Sequence, residues 1–86
     1  MREDRFEGIT NDVLLRRIFM YRTVASRPEK TSNDLVGLAR AEARIETELA
    51  RRGVRPLDIE TAMVTFQEAE RRYAATLALD ELAQEA

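Results

Sequence analysis

The sequence predicts an all-α fold, a small antiparallel three-helix bundle with helices over about residues 11–25, 32–52 and 58–84. Three observations carry this. Apolar residues recur at three- and four-residue intervals with no strand-like alternation, Ser26-Arg27-Pro28 and Gly53 with Pro56 punctuate the chain twice, and each periodic segment opens at a residue that caps helices. The two connections are roughly five and four residues, so consecutive helices are expected to run antiparallel. Residues 10–86 are read as one helical domain and 1–9 as an N-terminal arm, with Phe6 and Ile9 set among charges.

The first helix is capped by Thr10, Asn11 or Asp12 and ends at Ala25, because the residue before Pro28 is pushed out of helical geometry. Leu14, Ile18, Tyr21 and Ala25 form one stripe, with Val13, Met20 and Val24 to one side and Leu15 and Phe19 to the other. Its apolar circumference is wider than a single small bundle uses.

The second helix opens at Thr31 through Asp34, which have the spacing of a capping box, and closes at Arg51 and Arg52 before Gly53. Leu35, Leu38, Ala41, Ile45 and Leu49 make its core stripe, Arg44, Glu48 and Arg52 a solvated flank, and Gly37 is expected to allow close helix approach. The third helix is expected to be capped by Asp58 and to meet the bundle along Ile59, Ala62, Met63, Phe66, Ala69, Tyr73 and Leu77. Leu79, Leu82, Ala83 and Ala86 begin a second stripe on the far side of that helix, which is expected to extend from the bundle and face another chain.

Length and composition narrow the function classes. A chain of 86 residues hides only about 60–65 per cent of its unfolded surface on folding alone, so its core is thin. It has no cysteine and no histidine, hence no disulfide framework, no thiol nucleophile and no zinc set of the usual kind. The charged opening and the lack of a long apolar run make the cytoplasm the default expectation. The net charge of −2 is split, with 11 basic and 9 acidic residues in 1–53 against 3 and 7 in 54–86, a polarity that favours antiparallel or head-to-tail association.

No constellation points to catalysis. Ser26 and Ser32 sit where turns and caps want them, Gly8, Gly37 and Gly53 form no phosphate loop, and Glu42 and Glu70 read as rim carboxylates paired to arginines. A non-enzymatic chain with no cofactor and no metal is therefore expected.

The sharper expectation is a protein-interaction module, a regulator, inhibitor, adaptor or assembly subunit, forming a homodimer or joining a larger assembly. Surplus apolar side chains excluded from a core are natural anchors, so the interface is assigned to Phe19, Met20, Leu79, Leu82 and Ala86. The alternative is nucleic-acid binding by Arg16, Arg17, Arg22, Arg27 and Lys30, with Phe19 and Tyr21 interleaved for stacking. Acidic residues spread through the same half, and a pI near 5.2, weigh against it.

Overall fold

The protein, described here from a computed structural model covering residues 6–85, is a three-helix bundle of α1 (Asn11–Ala25), α2 (Ser32–Arg51) and α3 (Pro56–Glu85). No strand occurs among the described residues. Thr10 caps α1, its Oγ1 accepting from the Val13 N–H at 3.3 Å. Thr31 and Asp34 make the capping box of α2. The Thr31 hydroxyl accepts from the Asp34 N–H at 3.2 Å, and the Asp34 carboxylate from the Thr31 N–H at 3.1 Å.

Gly53 stops α2. At φ +91° it occupies the left-handed region, so the Gly53 N–H reaches the Ala50 carbonyl at 3.0 Å and the Val54 N–H the Leu49 carbonyl at 2.9 Å. Val54 is thereby turned onto the core. Helix α3 begins two residues before Asp58. Pro56, whose missing N–H costs nothing in the first turn, starts it, and Asp58 reaches back from the third position to accept from the Arg55 N–H at 3.0 Å.

The core is six side chains: Leu14 and Ile18 of α1, Ile45 and Leu49 of α2, Ile59 and Met63 of α3. Phe6, Ile9, Leu15, Phe19, Tyr21, Val54, Ala62 and Phe66 close over it. Helix α1 packs against both α2 and α3. Arg52 near the end of α2 meets Asn11, and Glu42 nearer its start meets Arg22, so α2 runs against α1. Burial of such side chains stabilises by roughly 1.5–3 kcal/mol each before entropy is charged against it. Six of them make a small reserve.

The structure corrects four expectations. Leu35 is exposed and Leu38 and Ala41 only half-buried, so α2 joins the core mainly through its second half. Glu48 is buried, not part of a solvated flank. A Cβ at Gly37 would meet nothing within 4 Å, so this glycine serves no close helix approach. On α3, Ile59, Met63 and, partly, Ala62 and Phe66 reach the bundle, while Ala69, Tyr73 and Leu77 are exposed. The helix has run past the end of its partners.

Residues 6–9 dock. Phe6 and Ile9 pack on the core, with Gly8 at φ +80° turning the chain between them. Arg52 holds this turn, donating to the Ile9 carbonyl at 2.7 Å, the Phe6 carbonyl at 2.9 Å and Asn11 Oδ1 at 2.9 Å.

Candidate protein interface

Every residue from Gln67 through Gln84 is exposed. At 1.5 Å per residue, the stretch from Gln67 to the helix end projects about 28 Å beyond the packed part of α3. It accounts for much of the 58 Å long axis of a molecule only 30 and 23 Å in its other extents. This arm is not polar. Tyr73 is 67% exposed, Leu79 66% and Leu82 62%, with Leu77 and a series of alanines between them. A solvated helix of that length with large side chains on several faces lacks the single apolar stripe of a surface helix.

At the root of the arm, α1 and α3 form an open groove of about 400 Å³ lined by Arg16, Phe19, Thr65, Phe66, Ala69, Glu70 and Tyr73. Its floor is aromatic. The Phe19 and Phe66 rings meet edge to face with centroids 5.6 Å apart, and the Arg16 guanidinium lies 4.8 Å from the Phe66 centroid. Arg16 is also paired with Asp12 at 3.0 Å. The groove is thus an apolar slot with a cation fixed at its edge.

The candidate anchors separate in space. Phe19 is half-buried against Phe66, whereas Met20 is 52% exposed on α1. Leu79 and Leu82 stand on the projecting arm, and Ala86 lies outside the described residues. Tyr73 and Leu77, which periodicity assigned to the core, join the exposed set.

The basic residues do not gather into one free cluster. Arg22 is committed to carboxylates from two other helices: Glu42 at 2.9 Å and Glu46 at 3.5 Å on α2, and Glu60 at 3.0 Å on α3. The bonds to Glu60 and Glu42 hold its guanidinium far above the range in which it could lose its proton, while the same contact lowers Glu60. Glu46 is pushed up by burial and by its neighbour Glu42. Arg16 faces Asp12, Arg17 and Lys30 are half-buried, and Arg27 is exposed beyond the end of α1. Glu42 is therefore a rim carboxylate paired to Arg22, and Glu70 is an exposed residue of the groove.

A second ionic cluster had no sequence signal beyond its helical spacing. Glu48 bonds Arg51 and Arg52, contacts that hold its carboxyl at about 2 and fix the Arg52 head that clamps residues 6–9. No group of His, Cys, Asp or Glu able to hold a metal ion occurs among the described residues, and among them no helix is long and apolar enough to cross a membrane.

Compared with known protein families, curated proteins and solved structures, the chain matches no family model, no curated protein and no solved structure.

Proposed function

We propose that this chain is a non-enzymatic protein-interaction module whose binding element is the projecting half of α3, with the aromatic groove at its root. The observation that carries this reading is the complete exposure of residues 67–84, a stretch that keeps Tyr73, Leu77, Leu79 and Leu82 out of a core that has few other side chains to spare. Contiguous apolar surface of this kind marks interaction sites. Tyr73 with Leu77, and Leu79 with Leu82, stand at four- and three-residue spacing on two different faces, each pair of the kind partner grooves read as anchors. The thin core fits the same reading, because small chains without disulfides or metals commonly gain stability from association.

Nucleic-acid binding through Arg16, Arg17, Arg22, Arg27 and Lys30 has less support. Two of these five cations already face carboxylates in this fold, and the Phe19 ring that would stack on a base is engaged with Phe66. A phosphate competing for Arg22 would have to displace three carboxylates.

Site-specific photo-cross-linking tests the interaction reading. A photoreactive residue in place of Leu79 or Leu82 is expected to capture protein efficiently, and the same probe at exposed Arg44 on α2 is expected not to. Equal yields at all three positions would remove the projecting arm from the reading. Retention of the chain by single-stranded or duplex DNA, lost as salt rises, would replace it with the nucleic-acid alternative.

A further inference from the structure

We infer that the face of the projecting arm that continues the aromatic groove is occupied by a basic amphipathic helix of a partner protein, its apolar side chains on Tyr73 and Leu77 and its lysines or arginines opposite Glu70, Asp80 and Glu81. The inference rests on the reading of α3 as an interaction element and supplies the chemistry of what one of its faces binds. Phe66, in contact with Phe19, marks the side of α3 turned toward α1. Counted from Phe66 at about 100° per residue, Ala69, Glu70, Tyr73, Leu77, Asp80 and Glu81 fall within about 60° either way. Glu68, Arg71, Arg72, Ala75, Leu79 and Leu82 fall about 120° or more away, on the back of the helix.

The charges divide with the faces. Residues 67–84 carry six: Glu70, Asp80 and Glu81 on the groove side, Glu68, Arg71 and Arg72 on the back. Glu68 stands one turn from both arginines. None of the three groove-side carboxylates has a basic residue three or four positions away in either direction, and the residue four after Glu81 is another acid, Glu85. Arg16, which shares the groove with Glu70, is bonded to Asp12 at 3.0 Å. The groove-side face therefore presents Tyr73 and Leu77 among exposed carboxylates that the helix itself does not balance.

Such a face is complementary to an apolar surface that brings its own cations, and an acidic partner would meet like charge at both ends of it. Spacing and length suit a helix as that surface. Phe66, Tyr73 and Leu77 stand at i, i+7 and i+11, and the face from Phe66 to Glu81 runs for about 22 Å, or four turns. A row of side chains at these intervals meets the ridges of a second helix laid along it. The groove of about 400 Å³ at its root receives a large apolar side chain at one end of that helix.

Fluorescence anisotropy with synthetic peptides tests this on the full chain. The probe is a helical peptide of about 16 residues, long enough to cover the face, with leucines along one side and lysines beside them. It is expected to bind about tenfold or more tightly than the same peptide with glutamates in place of lysines, and than one of the same composition with its leucines spread round the helix. Combining Glu70→Gln, Asp80→Asn and Glu81→Gln should weaken the lysine peptide about tenfold, and Tyr73→Ala with Leu77→Ala by at least as much. Glu68→Gln, which removes a carboxylate from the back of the helix, should change it by less than about twofold. Added salt should weaken binding, and helical circular dichroism of each variant separates loss of binding from loss of fold.

A lysine peptide that fails to bind, or binds no tighter than its two counterparts, overturns the basic helix as occupant. Binding indifferent to the triple variant or to Tyr73→Ala with Leu77→Ala, or weakened as much by Glu68→Gln, overturns the assigned face. A dimer of the chain alone in sedimentation equilibrium, lost in the Tyr73 and Leu77 variant, makes the occupant a second copy and overturns the proposal. None of these results touches capture of protein at Leu79 and Leu82, which decides the broader reading independently.

Discussion

Arg22 on α1 grips Glu60 on α3 with both arms of its guanidinium, Nη1 to Oε1 at 3.1 Å and Nη2 to Oε2 at 3.0 Å, while its Nε donates to Glu42 on α2 at 2.9 Å. One side chain thus ties all three helices. Replacing it with alanine leaves Glu42 and Glu46 near each other without a counter-charge. Arg22→Ala is expected to destabilise by about 1–3 kcal/mol, with Arg22→Lys recovering only part because an ammonium cannot fork. Urea unfolding of both variants and of Glu60→Gln measures this; an unchanged midpoint for Arg22→Ala would show the cluster to be a solvated ornament.

Stability is expected to fall as the solution is acidified. Glu48 sits at about 2 against an ordinary 4.5, so the folded state binds its proton more weakly than the unfolded chain. Its contribution is full above about pH 4.5 and lost as pH falls toward 2. Asp34, Asp58 and Glu60, also lowered by bonds from Thr31, Arg55 and Arg22, act in the same direction. Glu46, raised by burial, acts in the opposite direction: its contribution is full below its ordinary value and declines as pH rises through the raised one. Four lowered groups outweigh one. Melting temperature measured from neutral to acid pH should drop, and Glu48→Gln should flatten that drop by removing the most strongly lowered group.

Releasing the N-terminal turn should cost stability locally before it does so globally. Arg52→Ala removes three donated bonds to Phe6, Ile9 and Asn11 and leaves Glu48 with one arginine. The expected loss is about 1–3 kcal/mol. Hydrogen exchange at the Ile9 amide, which bonds the Phe6 carbonyl at 3.1 Å, should accelerate more than exchange in the middle of α2.

Two glycines predict opposite signs. Gly53→Ala forces a side chain into φ +91° and should destabilise by about 1 kcal/mol. Gly37→Ala sits mid-helix with open space around the new Cβ and should stabilise by about 0.5–1 kcal/mol. Thermal melts of the two single variants decide it, and destabilisation by Gly37→Ala would indicate a neighbour that packs there in solution.

The arm and the core should respond differently to the same insult. Leu49→Ala, fully buried, is expected to cost about 2–5 kcal/mol. Leu79→Glu with Leu82→Glu, both exposed, should move the melt of the dilute protein by less than about 1 kcal/mol while abolishing association. Collapse of the fold in the double variant would place those leucines in the core.

The helices were legible because their ends carry chemistry that acts locally. Thr31 with Asp34, and Gly53 after Arg51, need only their own backbone neighbours to specify a start and a stop. The extent of α3 was legible for the same reason, since nothing interrupts it after Pro56. What periodicity could not show is where the partners of a helix end. Tyr73 and Leu77 have the same spacing as Ile59 and Met63, yet Tyr73 reaches only the open edge of the α1 groove and both stay exposed. Glu48 was misplaced for a related reason: its spacing from Arg44 and Arg52 is that of a solvated flank, whereas in the fold it is buried and bonded by both Arg51 and Arg52, the latter held in turn by the carbonyls of Phe6 and Ile9. That Glu42 pairs with an arginine was legible from its place on the rim of the α2 stripe, but which arginine, and the addition of Glu60, come only from the tertiary fold.

The projecting helix also sets how the molecule moves through solvent. Its radius of gyration is 16.4 Å, against about 12 Å expected for a compact chain of this length. Such a particle feels more drag than a sphere of equal mass. A single copy will leave a gel-filtration column ahead of globular standards of 9.9 kDa and will resemble a heavier species by elution alone.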